Sequence, residues 1–249
     1  MKRLKRIIRV LDKIEDAICF LFCILLFLIG LYALVDSFLV YQHANDDSLL
    51  KFKPGYESDT GDDRSIEGKM AAWLTVEDTN IDYPVMQGKN NEEYLNKDPY
   101  GDYSLSGSIF LDCRNDPEFT DDYSLIYGHH MEGNHMFGSL HKFLKKKFFQ
   151  KHKKGNLIVG DTTYDLKIYA VMNAEATQEI LFSPTEYSQQ EVKAYIRKNA
   201  KYCRKRVAKH LSDDSRIVAL STCKYPDSVY RVVVFAELTN PHPTRKSGK

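Results

Sequence analysis

Ile217–Val234 reads IVALSTCKYPDSVYRVVV, and no other stretch of the chain narrows its fold as much. Two runs rich in β-branched residues, Ile217–Leu220 and Val229–Phe235, flank a polar break holding Lys224, Pro226, Asp227 and Ser228. Branching at Cβ favours the extended chain, and Pro followed by Asp-Ser favours a turn, so the stretch predicts a β-hairpin. Its first strand ends at Cys223 and its second carries Arg231 early, so a thiol and a guanidinium are expected at one mouth.

Further strands are predicted through the body of the chain. Ala71–Val76 and Ile81–Met86 are split by the turn cluster Asp78-Thr79-Asn80, and Gly107–Asp112 and Tyr123–Tyr127 by the loop Asn115–Asp122. Asn156–Val159 and Tyr164–Ala174 turn at Gly160-Asp161, while Asn91–Asn96 reads as a helical turn or loop. Apolar residues at helical spacing predict a short amphipathic helix over Phe137–Phe149. A single long helix is expected over Glu186–Lys209, capped by Thr185 or Ser188. The expected class is mostly β: a closed antiparallel barrel of about eight strands with attached helices, the long one placed before the Cys strand.

Lys and Arg total 35 against 34 Asp and Glu, a balance that gives no reason to expect nucleic acid as a partner. The asymmetry is local. Ala17–Val35 carries no charge, and about 20 apolar residues suffice for a helix to cross a bilayer. Lys2, Arg3, Lys5, Arg6, Arg9 and Lys13 precede it, and Asp36, Asp46 and Asp47 follow. The positive-inside rule then predicts a cytoplasmic N-terminus and an extracellular body. The run is longer than a signal-peptide core and Ala33-Leu34-Val35 is a poor cleavage site, so an uncleaved anchor is expected. The chain is thus divided into a basic tail (1–16), one transmembrane helix (17–35), an extracellular tether (36–68), a catalytic domain (69–240) and a C-terminal tail (241–249). Cys19 and Cys23 fall in the span; Cys113, Cys203 and Cys223 lie outside it, an odd number in an oxidising exterior.

A thiol nucleophile needs a partner for its proton and an electropositive setting. Of the eight histidines, His43 and His242 lie in the tether and tail, and His141, His152 and His210 among surface lysines. His129, His130 and His135 remain, the first two directly after Gly128 at the end of a predicted strand. A zinc site from His129, His130, His135 and Cys113 would lack both an H-E-x-x-H pattern and paired cysteines, so no metal or other cofactor is expected.

The order strand–Gly–His, strand–Thr–Cys, strand–Arg resembles the sortase family over nearly all of Lys69–Leu238. The family's T-L-x-T-C appears as Ala219-Leu220-Ser221-Thr222-Cys223, with Ala in place of the first Thr. Tyr127–Met131, Met136–Leu140, Asn80–Val85, Asn91 with Tyr94-Leu95, Gly107–Asp112 and the helix before the Cys strand resemble class B in particular. The resemblance implies Cys223 as nucleophile, His129 as acid and base, Arg231 as oxyanion partner, and substrate contacts at Asn91, Leu95, Thr177 and Ser221. It also implies a cysteine transpeptidase. Such an enzyme cleaves an N-P-x-T-[NG/S]-like or L-P-x-T-G-like sorting signal of a secreted protein after Thr. It then passes the thioacyl product to an amine of a peptidoglycan precursor or to a pilin lysine. A membrane-anchored cysteine peptidase that only hydrolyses and a catalytically silent binding module remain alternatives.

Overall fold

The computed structural model describes residues 2–44, 47–56, 65–66, 69–212, 214–223 and 228–245. The Lys224–Asp227 part of the expected hairpin turn and the Glu57–Asp63 part of the expected tether lie outside the described residues. The chain forms two units, residues 1–42 and 43–249. The first is a helix, α1 (Lys2–Ala44), whose Arg6–Phe38 portion is long and apolar enough to cross a membrane. Phe20, Leu21, Phe27, Tyr32 and Leu34 all stand exposed along it, so it is apolar all round rather than along one stripe, as a helix surrounded by lipid is.

The second unit is a closed sheet. Its strands are β1 (Lys69–Val76), β2 (Asp82–Gln87), β3 (Ile109–Leu111), β4 (Tyr123–Tyr127), β5 (Lys154–Val159), β6 (Thr162–Glu175), β7 (Tyr202–Cys203), β8 (Arg216–Cys223) and β9 (Tyr230–Pro243). Eight of them run in the order β5-β1-β2-β3-β4-β8-β9-β6, and a β6–β5 pairing closes the ring. The ninth, β7, pairs with β6 at Ala170 and Val171, beyond the part of β6 that β5 covers. The barrel is mixed rather than wholly antiparallel: β2–β3 and β4–β8 are parallel. A parallel pair needs a long crossover, and β5, β6, β7 and four short helices all intervene between β4 and β8.

Ile217–Leu220 of β8 and Val232–Ala236 of β9 are apolar at every position because both of their faces are covered. Val218, Leu220, Val232, Val234 and Ala236 join the cluster that also holds Leu74, Val85, Ile126 and Phe137. Ile217, Ala219, Val233 and Phe235 join a second cluster, with Leu181, Val192, Ile196 and Ala208 of the attached helices. Successive residues of a strand alternate faces, so a run buried on both sides loses the polar–apolar alternation of a half-exposed strand. Ala219, where the resembled family has Thr, is fully buried in this second cluster. We expect Ala219→Thr to cost about 1–3 kcal/mol by overpacking and by burying a hydroxyl, with peptide turnover unchanged at permissive temperature. Thermal unfolding and turnover measured on one preparation check both halves.

The helical segments are shorter than expected. In place of one helix over Glu186–Lys209 stand α4 (Gln189–Asn199), β7, and α5 (Lys205–His210). Ser188 caps α4 in a reciprocal capping box with Glu191. The break follows from the free edge of β6, which takes Tyr202 and Cys203 as a strand. Arg204 then pins the chain, its guanidinium donating to the carbonyls of Ile168, Phe149 and His152. α3 (Glu179–Phe182) precedes this insertion. Phe137–Phe149 likewise divides at the extended Lys145, into a 3-10 helix (Gly138–Leu144) and α2 (Lys146–Lys151).

Part of the expected tether is docked. A 3-10 turn, Asp47–Phe52, sets Leu49 against Trp73, Tyr100 and Ile158. Lys53 Nζ donates to Asp82 Oδ1 at 2.7 Å, and Trp73 Nε1 and Thr75 Oγ1 donate to the same oxygen at 2.6 and 2.8 Å.

Candidate active site

Strand register brings the sequence-predicted residues into one row. β4 and β8 run parallel with Tyr127 level with Ser221, and the Gly128 N–H extends the ladder to the Ser221 carbonyl at 3.1 Å. β4 ends at Tyr127, so His129 lies two residues past its end, while Cys223, two residues past Ser221, is the last residue of β8. Across the next, antiparallel pair, Cys223 is the register partner of Arg231. His129 just past β4, Cys223 ending β8 and Arg231 near the start of β9 therefore come to the same end of three adjacent strands, though the first two stand 94 positions apart in sequence.

The role of Gly128 is steric: a Cβ there would lie 2.8 Å from Ile109 Cδ1 and 2.8 Å from Phe137 Cδ2. The barrel core packs against the backbone just where the chain leaves β4, and this fixes the base of His129. The ring is fixed too. His129 Nε2 lies 2.7 Å from the Leu95 carbonyl oxygen, and because a carbonyl can only accept, Nε2 carries the proton in this arrangement.

A groove of about 280 Å³ opens at this end of the sheet, lined by Asn91, Leu95, Phe110, Tyr127, Gly128, His129, Ser221, Thr222 and Arg231. Asn91, Leu95 and Ser221, expected as substrate contacts, thus border one space. Thr177 does not line it; it lies on the exposed turn after β6, whose Ala176 N–H bonds the Val229 carbonyl at the start of β9. Arg231 is half-buried and gives Nη1 to the Ser228 carbonyl at 2.6 Å, which leaves most of its five N–H donors for other acceptors. The Ser221 and Thr222 hydroxyls are buried and have no hydrogen-bond partner among the described residues. Buried polar atoms are almost always satisfied, so two orphans beside a groove are suited to meeting the backbone of a bound peptide.

Behind the groove lies a group that the sequence did not single out by itself. Asp112, fully buried, accepts from Asn91 Nδ2 at 2.9 Å, the Tyr127 hydroxyl at 3.1 Å, and the Arg114 guanidinium at 2.9 and 2.8 Å. Burial pushes this carboxyl up, but the bonds and charge of Arg114 outweigh it and hold Asp112 below its ordinary range. Arg114 also bonds the Phe182 carbonyl, and Asn91 Oδ1 accepts from the Cys113 N–H at 2.8 Å. One carboxylate therefore positions two groove-lining side chains and joins them to α3. No spacing signal announces this, because the partners come from four separate segments. A depressed carboxyl contributes stability above its unfolded pKa and loses it as pH falls through the folded value. We expect Asp112→Asn to abolish that contribution and to raise the peptide KM several-fold more than it lowers kcat. Acid unfolding midpoints and steady-state kinetics check this.

His130 lies apart from the row. Its ring stacks on His141 with centroids 4.2 Å apart, and burial lowers its pKa. It is absent from the groove lining, so we expect His130→Ala to leave turnover within about threefold of the unsubstituted protein; a larger loss in peptide-cleavage assays would reverse the assignment of the His pair. No group of three or more His, Cys, Asp or Glu side chains placed to hold a metal occurs among the described residues.

A closed mixed barrel with a groove bordered by His129 and Arg231 at one end is the architecture of a transpeptidase family. The family model described as "Sortase domain" matches residues 74–239, and the chain belongs to the sortase family, whose members are transpeptidases. Within that family its relatives are class B. Sortase B of Listeria monocytogenes is 36% identical over 161 residues, which cover 64% of this chain and 65% of that protein. A solved class B sortase of Streptococcus pyogenes, involved in pilus biogenesis, is 38% identical with a TM-score of 0.63, covering 79% of this chain and 99% of the other. A sortase B complexed with triglycine is 29% identical with a TM-score of 0.62, covering 69% of this chain and 80% of the other.

Proposed function

We propose that this chain is a membrane-anchored cysteine transpeptidase acting outside the cell on C-terminal sorting signals, with Cys223, His129 and Arg231 as its catalytic residues. The observation that carries the reading is that His129 and Arg231 border one groove, and that β8, whose Ser221 and Thr222 line it, ends at Cys223, the register partner of Arg231. In the first step the Cys223 thiolate attacks the carbonyl carbon of the signal's Thr, and negative charge gathers on the carbonyl oxygen. Arg231 meets that charge without being able to surrender a proton. The C–N bond breaks, the imidazolium of His129 gives its proton to the departing amine, and a thioacyl-enzyme remains. An incoming amine then attacks the thioester, His129 takes a proton from it, and the thiolate leaves.

Asn91, Leu95 and Ser221 would contact the signal within the groove, and Thr177 would meet it outside, at the turn tied to β9. The signal is expected to be N-P-x-T-[NG/S]-like or L-P-x-T-G-like. The acceptor amine is assigned to a peptidoglycan precursor or a pilin lysine. The pilus role of the Streptococcus pyogenes relative and the triglycine bound to another sortase B support these two classes. α1 would supply the anchor, with the basic tail cytoplasmic.

The test is to incubate the full chain with a panel of signal peptides, with and without an added amine, and to read adducts and products by mass spectrometry. A thioacyl adduct on Cys223 and an amine-joined product are expected. Hydrolysed product alone at every amine concentration would make the protein a peptidase.

A further inference from the structure

The sequence between Glu132 and Asp161 holds no acidic residue but seven lysines, in a chain whose formal net charge is +1. Lys145, Lys146, Lys147, Lys151, Lys153 and Lys154 are all exposed. Among the described residues none of these six enters an ion pair; the carboxylate held against the segment is Asp78, which meets His152 Nδ1 at 2.7 Å. The lysines are not arranged as a uniform solvated face. Lys145, Lys146, Lys147, Lys151, Phe148 and His152 line a shallow depression of about 490 Å³, with the Phe148 and His152 rings stacked 3.8 Å apart at its base. Six cations kept together cost self-repulsion, and a surface of opposite charge relieves it.

The segment is also close in the chain path to the docked turn. It runs directly into β5 at Lys154, and four residues along that strand Ile158 packs against Leu49 of the 3-10 turn. Residues 39–46 alone separate the end of the apolar span at Phe38 from that turn; 39–44 continue α1, so the leash is shorter than the roughly 30 Å that eight extended residues would span. We propose that the Lys145–Lys154 surface binds the anionic lipid headgroups of the bilayer that α1 spans, and so holds the barrel against the membrane. This rests on the anchor reading given under Proposed function. Juxtamembrane lysines gain from anionic headgroups only within a Debye length of the surface, so a short leash is what makes such a patch effective.

The experiment reconstitutes the full chain in vesicles of phosphatidylcholine and in vesicles that also contain phosphatidylglycerol. Lysine acylation is then mapped by mass spectrometry. On anionic vesicles the six lysines are expected to label about fivefold more slowly, the protection vanishing at high salt, while the exposed Lys198 and Lys201 label equally on both. Combined Lys145→Gln, Lys146→Gln, Lys147→Gln and Lys151→Gln should equalise labelling at Lys153 and Lys154 yet leave cleavage of a soluble signal peptide unchanged. Equal labelling on both vesicles overturns the proposal while leaving the anchor intact. Equal protection by a soluble polyglycerol phosphate on phosphatidylcholine vesicles overturns it in favour of a wall polymer. Failure of the chain to float with either vesicle overturns the anchor reading instead, and this proposal with it.

Discussion

Cys223→Ala is expected to lose turnover by about 10⁴-fold or more and to form no covalent adduct with any signal peptide. The reason is positional as well as chemical. Residue 223 closes β8 one step past Thr222, which lines the groove, and its register partner is Arg231, which also lines it. The other cysteines of the barrel unit have different surroundings. Cys113 follows β3 with its backbone N–H given to Asn91, and Cys203 belongs to the short β7 on the edge of β6. Cys113→Ala and Cys203→Ala should therefore keep turnover within a few-fold. His129→Ala should resemble the Cys223 variant more than the His130 one, falling by about 10²–10⁴-fold, since one imidazole serves both proton transfers. Measuring cleavage and amine transfer across the five variants separates a nucleophile from a fold effect. Retained turnover in Cys223→Ala, with loss in Cys113→Ala, would move the nucleophile to the other thiol.

These positions were readable because their signals are local. A strand ending in Thr-Cys, a strand followed by Gly-His and a β-branched run carrying Arg each declare themselves within a few residues. The same holds for the apolar run at Ala17–Val35, which falls within the long apolar helix α1. What was not readable depends on neighbours. Tyr123–Tyr127 has the same composition whether its partner runs parallel or antiparallel, so the mixed topology was invisible. The expected long helix breaks at Ala200 because the edge of β6 offers unpaired backbone to Tyr202 and Cys203, a term absent from helical periodicity. Leu49 looked like tether until Trp73 and Ile158 supplied a surface for it. Asp112 is the same lesson at the site. Its sequence neighbours place it after a strand, but its function as a hub comes from Asn91, Arg114 and Tyr127 meeting one buried carboxylate.

Arg231→Ala is expected to lower kcat by about 10²–10³-fold with a much smaller change in KM, the pattern of an interaction made mainly in the transition state. Its place in the row supports this. Arg231 lies at the end of β9 opposite position 223, half-buried and bordering the groove, and its Nη1 is already fixed by the Ser228 carbonyl. Half-burial strengthens its pull on a developing oxyanion, and the fixed bond means little reorganisation when that charge appears. Arg231→Lys is the sharper variant. A lysine keeps the charge, but as a single ammonium it cannot hold the Ser228 carbonyl and reach an oxyanion with a preorganised fork. We therefore expect it to recover less than about a tenth of the lost kcat. Full rescue by Lys would mean that charge alone matters at this position. A loss confined to KM, in either variant, would make Arg231 a binder of the signal rather than the group that bears the oxyanion.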